Sequence, residues 1–147
     1  MNLKSTLQSD LKDAMRNREE TRKDTIRMAL SAIKLAEVEK SAQMDESAYL
    51  AIIQKEIKAR RESIADAERA NRPELIIQAE QEIKVLQCYL PAAFSEEELE
   101  AMVKATVSEV GATSIREMGQ VMKVLIPKLQ GRATNDQASQ AVRKLLQ

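Results

Sequence analysis

Residues that break helices are nearly absent from this chain. Three glycines and three prolines are spread through 147 residues, and two tyrosines and one phenylalanine make up its aromatic complement. Strands draw on β-branched and aromatic side chains, with Gly and Pro at their turns. A chain rich in Ala, Glu, Lys, Gln, Leu and Arg is therefore expected to be helical almost throughout, an all-α fold. The length suits one domain or two small ones and buries a core without disulfides, so the single Cys88 reads as a small buried apolar residue. The opening MNLKSTLQSDLKDAM is charged from Lys4 onward and lacks the apolar stretch of a secretory signal. No run approaches the roughly 18 apolar residues of a membrane span. A cytoplasmic protein without membrane contact is expected.

Apolar spacing then divides the helices. Leu3, Leu7, Leu11 and Met15 form one stripe, and Ile26, Leu30 and Ile33 form another on a second helix. Asp45 is placed to cap a third helix carrying Tyr49, Ile53, Ile57 and Ile64, which runs to about Ala70 before Asn71-Arg72-Pro73 interrupts it. Pro73 suits a first turn. The fourth helix has Leu75 or Ile76, Ala79, Ile83, Leu86 and Tyr89 on its apolar side and should stop before Pro91. These segments predict an N-terminal bundle of about four helices over residues 1–92, with a hinge at Pro91 to Phe94.

Residues 93–147 read as a three-helix C-terminal subdomain. Ser95 with Glu98, Ser114 with Glu117 and Thr134 with Gln137 each have capping-box spacing, while Gly111 and Gly131 stand where C-terminal caps belong. The expected core stripes are Leu99, Met102, Val103, Val107 and Val110, then Ile115, Met118, Met122, Leu125 and Leu129, then Ala138, Ala141, Val142, Leu145 and Leu146. Pro127 cannot donate to the carbonyl of Lys123, so the middle helix should kink or end there.

The chain contains no histidine, which removes the usual general base and metal ligand. Zinc sites and Ser-His or Cys-His nucleophiles are excluded, and three scattered glycines make neither a dinucleotide fingerprint nor a P-loop. Glu80/Glu82 and Glu96/Glu97/Glu98 read as helix surface and first-turn charge rather than as acid-base pairs. No catalytic residue, metal or cofactor is expected. Charge is even: residues 1–90 carry 16 basic and 16 acidic side chains and residues 91–147 carry 7 of each. Two local clusters, Arg16, Arg18, Arg22, Lys23 and Arg27, and Lys55, Lys58, Arg60 and Arg61, are interleaved with acids. They read either as solvated faces or as surfaces that contact phosphate.

The run Met118-Gly119-Gln120-Val121-Met122-Lys123, followed by Pro127-Lys128 and Gly131-Arg132-Ala133, closely resembles the YqeY-like (GatB/YqeY) family. The likeness extends over the whole chain, through LKSTLQSDLKDAMRNREETRKDTIRMALSAIK at its start and Cys88-Tyr89-Leu90-Pro91 with Ser95-Glu96-Glu97-Glu98-Leu99 at the junction. The tail from about Ser95 is also similar to the C-terminal domain of the B subunit of the glutamine-dependent tRNA amidotransferase, which helps grip tRNA. The resemblance implies an association with carbon-nitrogen ligation using glutamine as amido-N donor. The catalytic parts of that complex have no counterpart here, so independent activity is not expected, and purified protein should release no glutamate from glutamine.

If Ser114 to Gln130 is helical, steps of about 100° align Arg116, Gln120, Lys123 and Gln130 on a polar face, opposite Met118, Met122, Leu125 and Leu129. Gly119 lies beside that face and would let a sugar-phosphate backbone, or a neighbouring helix, approach the main chain. Lys128 and Arg132 flank the Gly131 turn, where cations also offset the partial negative charge of a helix C-terminus. With the family likeness, Lys123, Lys128 and Arg132 become the leading RNA-contact residues, followed by Arg116. Few aromatic side chains are available for stacking, so shape and phosphate contacts to tRNA or another structured RNA fit better than single-strand readout. A pI near 6.4 counts against strong nonspecific binding to nucleic acid. The alternative is a helical protein-protein interaction module that docks a partner or a second copy without binding RNA.

Overall fold

A helix begins most readily where a side chain takes over one of its orphan backbone donors. The computed structural model describes residues 2–40 and 44–147. Asn2 accepts from the amide of Ser5 and opens α1 (Leu3–Arg16), and Asp45 accepts from the amide of Ala48 at 2.9 Å and opens α3 (Glu46–Arg69). Between them runs α2 (Glu20–Lys40), and α4 (Pro73–Gln87) starts on Pro73, whose missing N–H would have had no helical partner. Seven α-helices and one 3₁₀ turn are present, and no strand occurs among the described residues. The chain divides into two compact units, residues 1–90 and 91–147. No helix among the described residues is long and apolar enough to cross a membrane.

In the first unit α3 packs along α4, α1 along α2, and α2 also touches α3 and α4. Leu7, Ile26, Ile33, Ile53 and Leu86 are fully buried at its centre, each contributing about 1.5–3 kcal/mol of apolar burial. Two expectations fail at the ends of stripes. Met15 is 49% exposed and Ala14 takes the inward position, because steps of about 100° carry the fourth residue of an i, i+4 series out of the core. Cys88 is exposed just past the end of α4, its thiol donating to the carbonyl of Lys84, so it fills no core position.

Side-chain bonds tie these helices together. Lys4 reaches Glu37 at 2.9 Å and the Tyr49 hydroxyl donates to the same carboxylate at 3.1 Å, joining α1, α2 and α3. Tyr89, beyond α4, donates to Asp10 at 2.5 Å. Burial first, and then the Asp10 carboxylate, push its hydroxyl pKa well above the ordinary value. Arg60 is the exception within the second basic cluster. It is 6% exposed, continues the Tyr49-Ile53-Ile57 stripe inward, and binds Glu56 at 2.9 Å and Glu82 of α4 at 3.0 Å. It therefore presents no charge to a phosphate.

The second unit is built from α5 (Glu96–Val110), a 3₁₀ turn (Ile115–Glu117), α6 (Met118–Leu129) and α7 (Asn135–Leu146), and each of the three α-helices packs on the other two. Ser95 with Glu98 and Thr134 with Gln137 form complete capping boxes. Ser114 forms none. Glu117 instead accepts from the amide and hydroxyl of Thr113, and the segment it would have capped is a 3₁₀ turn. That turn resets the helical phase. Val121, Leu125 and Leu129 are the buried residues of α6, while Ile115 is 42% exposed and Met122 only half-buried. They join Val103, Ala112, Ala133, Ala138 and Val142 in the core, whereas Leu145 is 39% exposed. Gly111 ends α5 at φ 75°, a conformation that disfavours any side chain.

Candidate nucleic-acid interface

With Val121, Leu125 and Leu129 turned inward, the opposite face of α6 is Gly119, Gln120, Lys123, Ile126 and Pro127, all exposed. Lys123 stands in the middle of that face, and its ammonium has no ion-pair or hydrogen-bond partner among the described residues. Arg116 is exposed in the 3₁₀ turn just before α6 and likewise makes no side-chain bond there. It stands in a turn, not in a continuous helix as the spacing suggested. Pro127 neither ends the helix nor stands at its middle. It occupies the last turn, and α6 continues to Leu129.

A Cβ built on Gly119 would meet nothing within 4 Å. No neighbouring helix presses on it, so helix packing does not account for the residue, and no left-handed φ requires glycine there. Glycine costs a helix interior roughly 1 kcal/mol relative to alanine and less in a first turn, where Gly119 stands. Among the described residues nothing packs over Gly119 to offset that cost, and the main chain is open there.

The other two expected cations are engaged. Lys128 lies around the helix toward α5, where its ammonium is 2.7 Å from Glu109 and donates to the hydroxyl of Thr106 at 3.3 Å. Arg132 follows a turn in which Gln130 and Gly131 both have positive φ. Its Nε donates to the carbonyl of Ala92 at 2.8 Å, its guanidinium lies 4.1 Å from the centre of the Phe94 ring, and Nη2 is 3.7 Å from Glu98. The amide of Phe94 donates in return to the carbonyl of Arg132 at 2.9 Å. Arg132 thus pins the segment that leads into α5, while a side chain 38% exposed remains in reach of solvent. The structure sets Arg116 and Lys123 apart from Lys128 and Arg132, a division by tertiary partners that spacing along the chain does not contain.

In the first basic cluster, Arg16, Arg22 and Lys23 each have an acidic neighbour at i±3 on their own helix or the adjoining turn, so most of its charge is locally compensated. Among the described residues no group of three His, Cys, Asp or Glu side chains is placed to hold a metal ion.

The family described as Yqey-like protein matches residues 4–146. Proteins named "Altered inheritance of mitochondria protein 41, mitochondrial" are similar to the chain. The one from Vanderwaltozyma polyspora is 41% identical over 85 residues, 57% of this chain and 46% of its own length. The one from Kluyveromyces lactis is 36% identical over 110 residues, 72% of this chain and 59% of its own length. The one from Pyrenophora tritici-repentis is 31% identical over 134 residues, 89% of this chain and 73% of its own length. The first two matches span about half to three-fifths of those relatives. These relatives are named as mitochondrial proteins, which overturns the expectation of a cytoplasmic protein. That expectation rested on the lack of an apolar secretory stretch, a criterion that does not distinguish one aqueous compartment from another.

Proposed function

The chain belongs to the Yqey-like protein family, and from that premise we propose that it is a non-catalytic accessory module that binds structured RNA, with tRNA the first candidate, through the outer face of α6. Gly119 carries the reading: a glycine in a helix, with open space above it and an exposed, unpartnered Lys123 one turn on, suits close approach of a sugar-phosphate backbone. Arg116 adds a second exposed cation in the turn that leads into α6. Lys128 and Arg132 contribute less, because each must loosen an internal bond before it can bind phosphate. The likeness of the tail to the tRNA-gripping domain of the amidotransferase supports the same ligand. An association with glutamine-dependent carbon-nitrogen ligation belongs to this proposal only as a setting, in which the module holds RNA and supplies no chemistry.

The test is fluorescence anisotropy with folded bulk tRNA at about 50 and 200 mM salt, a range over which phosphate-driven affinity falls steeply. Removal of one phosphate-binding cation should lower the log-log salt slope by about 0.7–0.9. Lys123→Glu and Arg116→Glu should weaken binding more than Lys128→Glu does. Gly119→Ala should leave the fold at least as stable and still weaken binding. Absence of binding at the lower salt, or affinity indifferent to Lys123→Glu and Gly119→Ala together, would replace this reading with the helical protein-interaction module.

A further inference from the structure

The outer face of α2 carries an exposed apolar stripe, at one end of which the Met28 sulfur also accepts from Nη2 of the buried Arg60 at 3.5 Å. Met28, Leu35 and Val38 are 53%, 61% and 67% exposed. With the exposed Ser31 they fall at i, i+3, i+7 and i+10, the alternating spacing of a coiled-coil seam. Ile26, Ala29 and Ile33 are buried on the opposite side of the same helix. Taking Met28 and Leu35 as a positions and Ser31 and Val38 as d positions puts Lys34 at g and Glu39 at the following e.

Charge at those flanks identifies the occupant. In two parallel helices a g residue faces the e residue of the next heptad on its partner, so Lys34 of one copy meets Glu39 of the other, and two-fold symmetry forms the pair twice. Lys34 and Glu39 are exposed and make no ion pair among the described residues, whereas Arg22, Lys23 and Glu37 of the same helix are all engaged within the chain. An antiparallel pair would set like flanks together and oppose Arg27 and Lys34 to the same two cations. We propose that α2 is a self-association surface on which a second copy of this chain docks in parallel through Met28, Ser31, Leu35 and Val38. Three helical turns bury less than a standard interface, so the dimer is weak, with a dissociation constant of about 100 μM.

Sedimentation equilibrium of the full chain from about 10 μM to 1 mM covers that constant on both sides. The apparent mass should rise from 16.5 kDa toward twice that value. Leu35→Glu should weaken association more than about tenfold by burying a charge. Lys34→Glu and Glu39→Lys should each weaken it about fivefold, and the double exchange should restore it. All these positions are exposed, so far-UV circular dichroism should be unchanged. A monomer at every concentration, or a dimer indifferent to Leu35→Glu, overturns self-association through α2. Failure of the double exchange to restore affinity overturns the parallel register.

Discussion

Arg132 offers a direct way to separate a structural role from an RNA-binding one. Truncating it to alanine removes the 2.8 Å hydrogen bond from Nε to Ala92, the guanidinium over the Phe94 ring at 4.1 Å and the long contact with Glu98 at 3.7 Å. A charge-assisted hydrogen bond is worth about 1.5 kcal/mol, and an exposed cation-π contact about 0.5–1 kcal/mol. Both Arg132 and Glu98 are more than a third exposed, so the ion pair adds at most about 0.5 kcal/mol. The sum is about 2–3 kcal/mol, enough to lower the melting point of a unit this small by roughly 10 °C or more. The two tyrosines, Tyr49 and Tyr89, both lie in the first unit, so tyrosine fluorescence reports that unit while far-UV circular dichroism reports both. The loss should appear in the dichroism. Arg132→Lys keeps the charge but not the planar Nε donor, so it should lose about 1–2 kcal/mol of stability while leaving the salt slope for tRNA in place. A dichroism transition within about 0.5 kcal/mol of wild type for Arg132→Ala would refute the pin.

Two further outcomes are expected in the first unit. Arg60→Met removes the cation shared by Glu56 and Glu82 and leaves two partly buried carboxylates facing apolar surface; urea unfolding should show a loss of about 2 kcal/mol or more, and an unchanged midpoint would show that the cluster is dispensable. The Lys4 ammonium, and then the Tyr49 hydroxyl, hold Glu37 below its ordinary carboxylate pKa against the opposing effect of burial. The unfolded chain thus takes up that proton at higher pH than the folded one. The contribution is present above the unfolded value near 4.5 and is lost as pH falls through the lower folded value. Glu37→Gln should flatten this part of the acid limb in a pH series of thermal melts, and an identical acid limb in both proteins would count against the assignment.

Legibility of the candidate site follows the range of the interactions that build it. Capping at Asp45, Ser95 and Thr134 depends on residues three positions apart, and the structure has the bonds that the spacing predicts. Ser114 has the same spacing but loses its role, because the amide and hydroxyl of Thr113 compete for Glu117 and the segment tightens into a 3₁₀ turn. Within α6 the core takes Val121 with Leu125 and Leu129 and leaves Met122 half-buried, a choice of face that the packing of α5 and α7 makes. Lys123 and Gly119 could be singled out from the motif, but the open space above Gly119 could not.

Local chemistry alone determined that this chain is helical, where most helices begin and end, and that it lacks the histidine and glycine-rich loops of common catalytic and phosphate-cradling sites. Such features arise within a turn or two of the backbone, and one sequence contains them in full. Which cations face solvent was decided only by tertiary structure. Arg60 meets Glu82 across 22 positions, Lys128 meets Glu109 across 19 and Arg132 meets Ala92 across 40. A charge's availability depends on what the fold brings beside it, and no spacing along the chain specifies that neighbour.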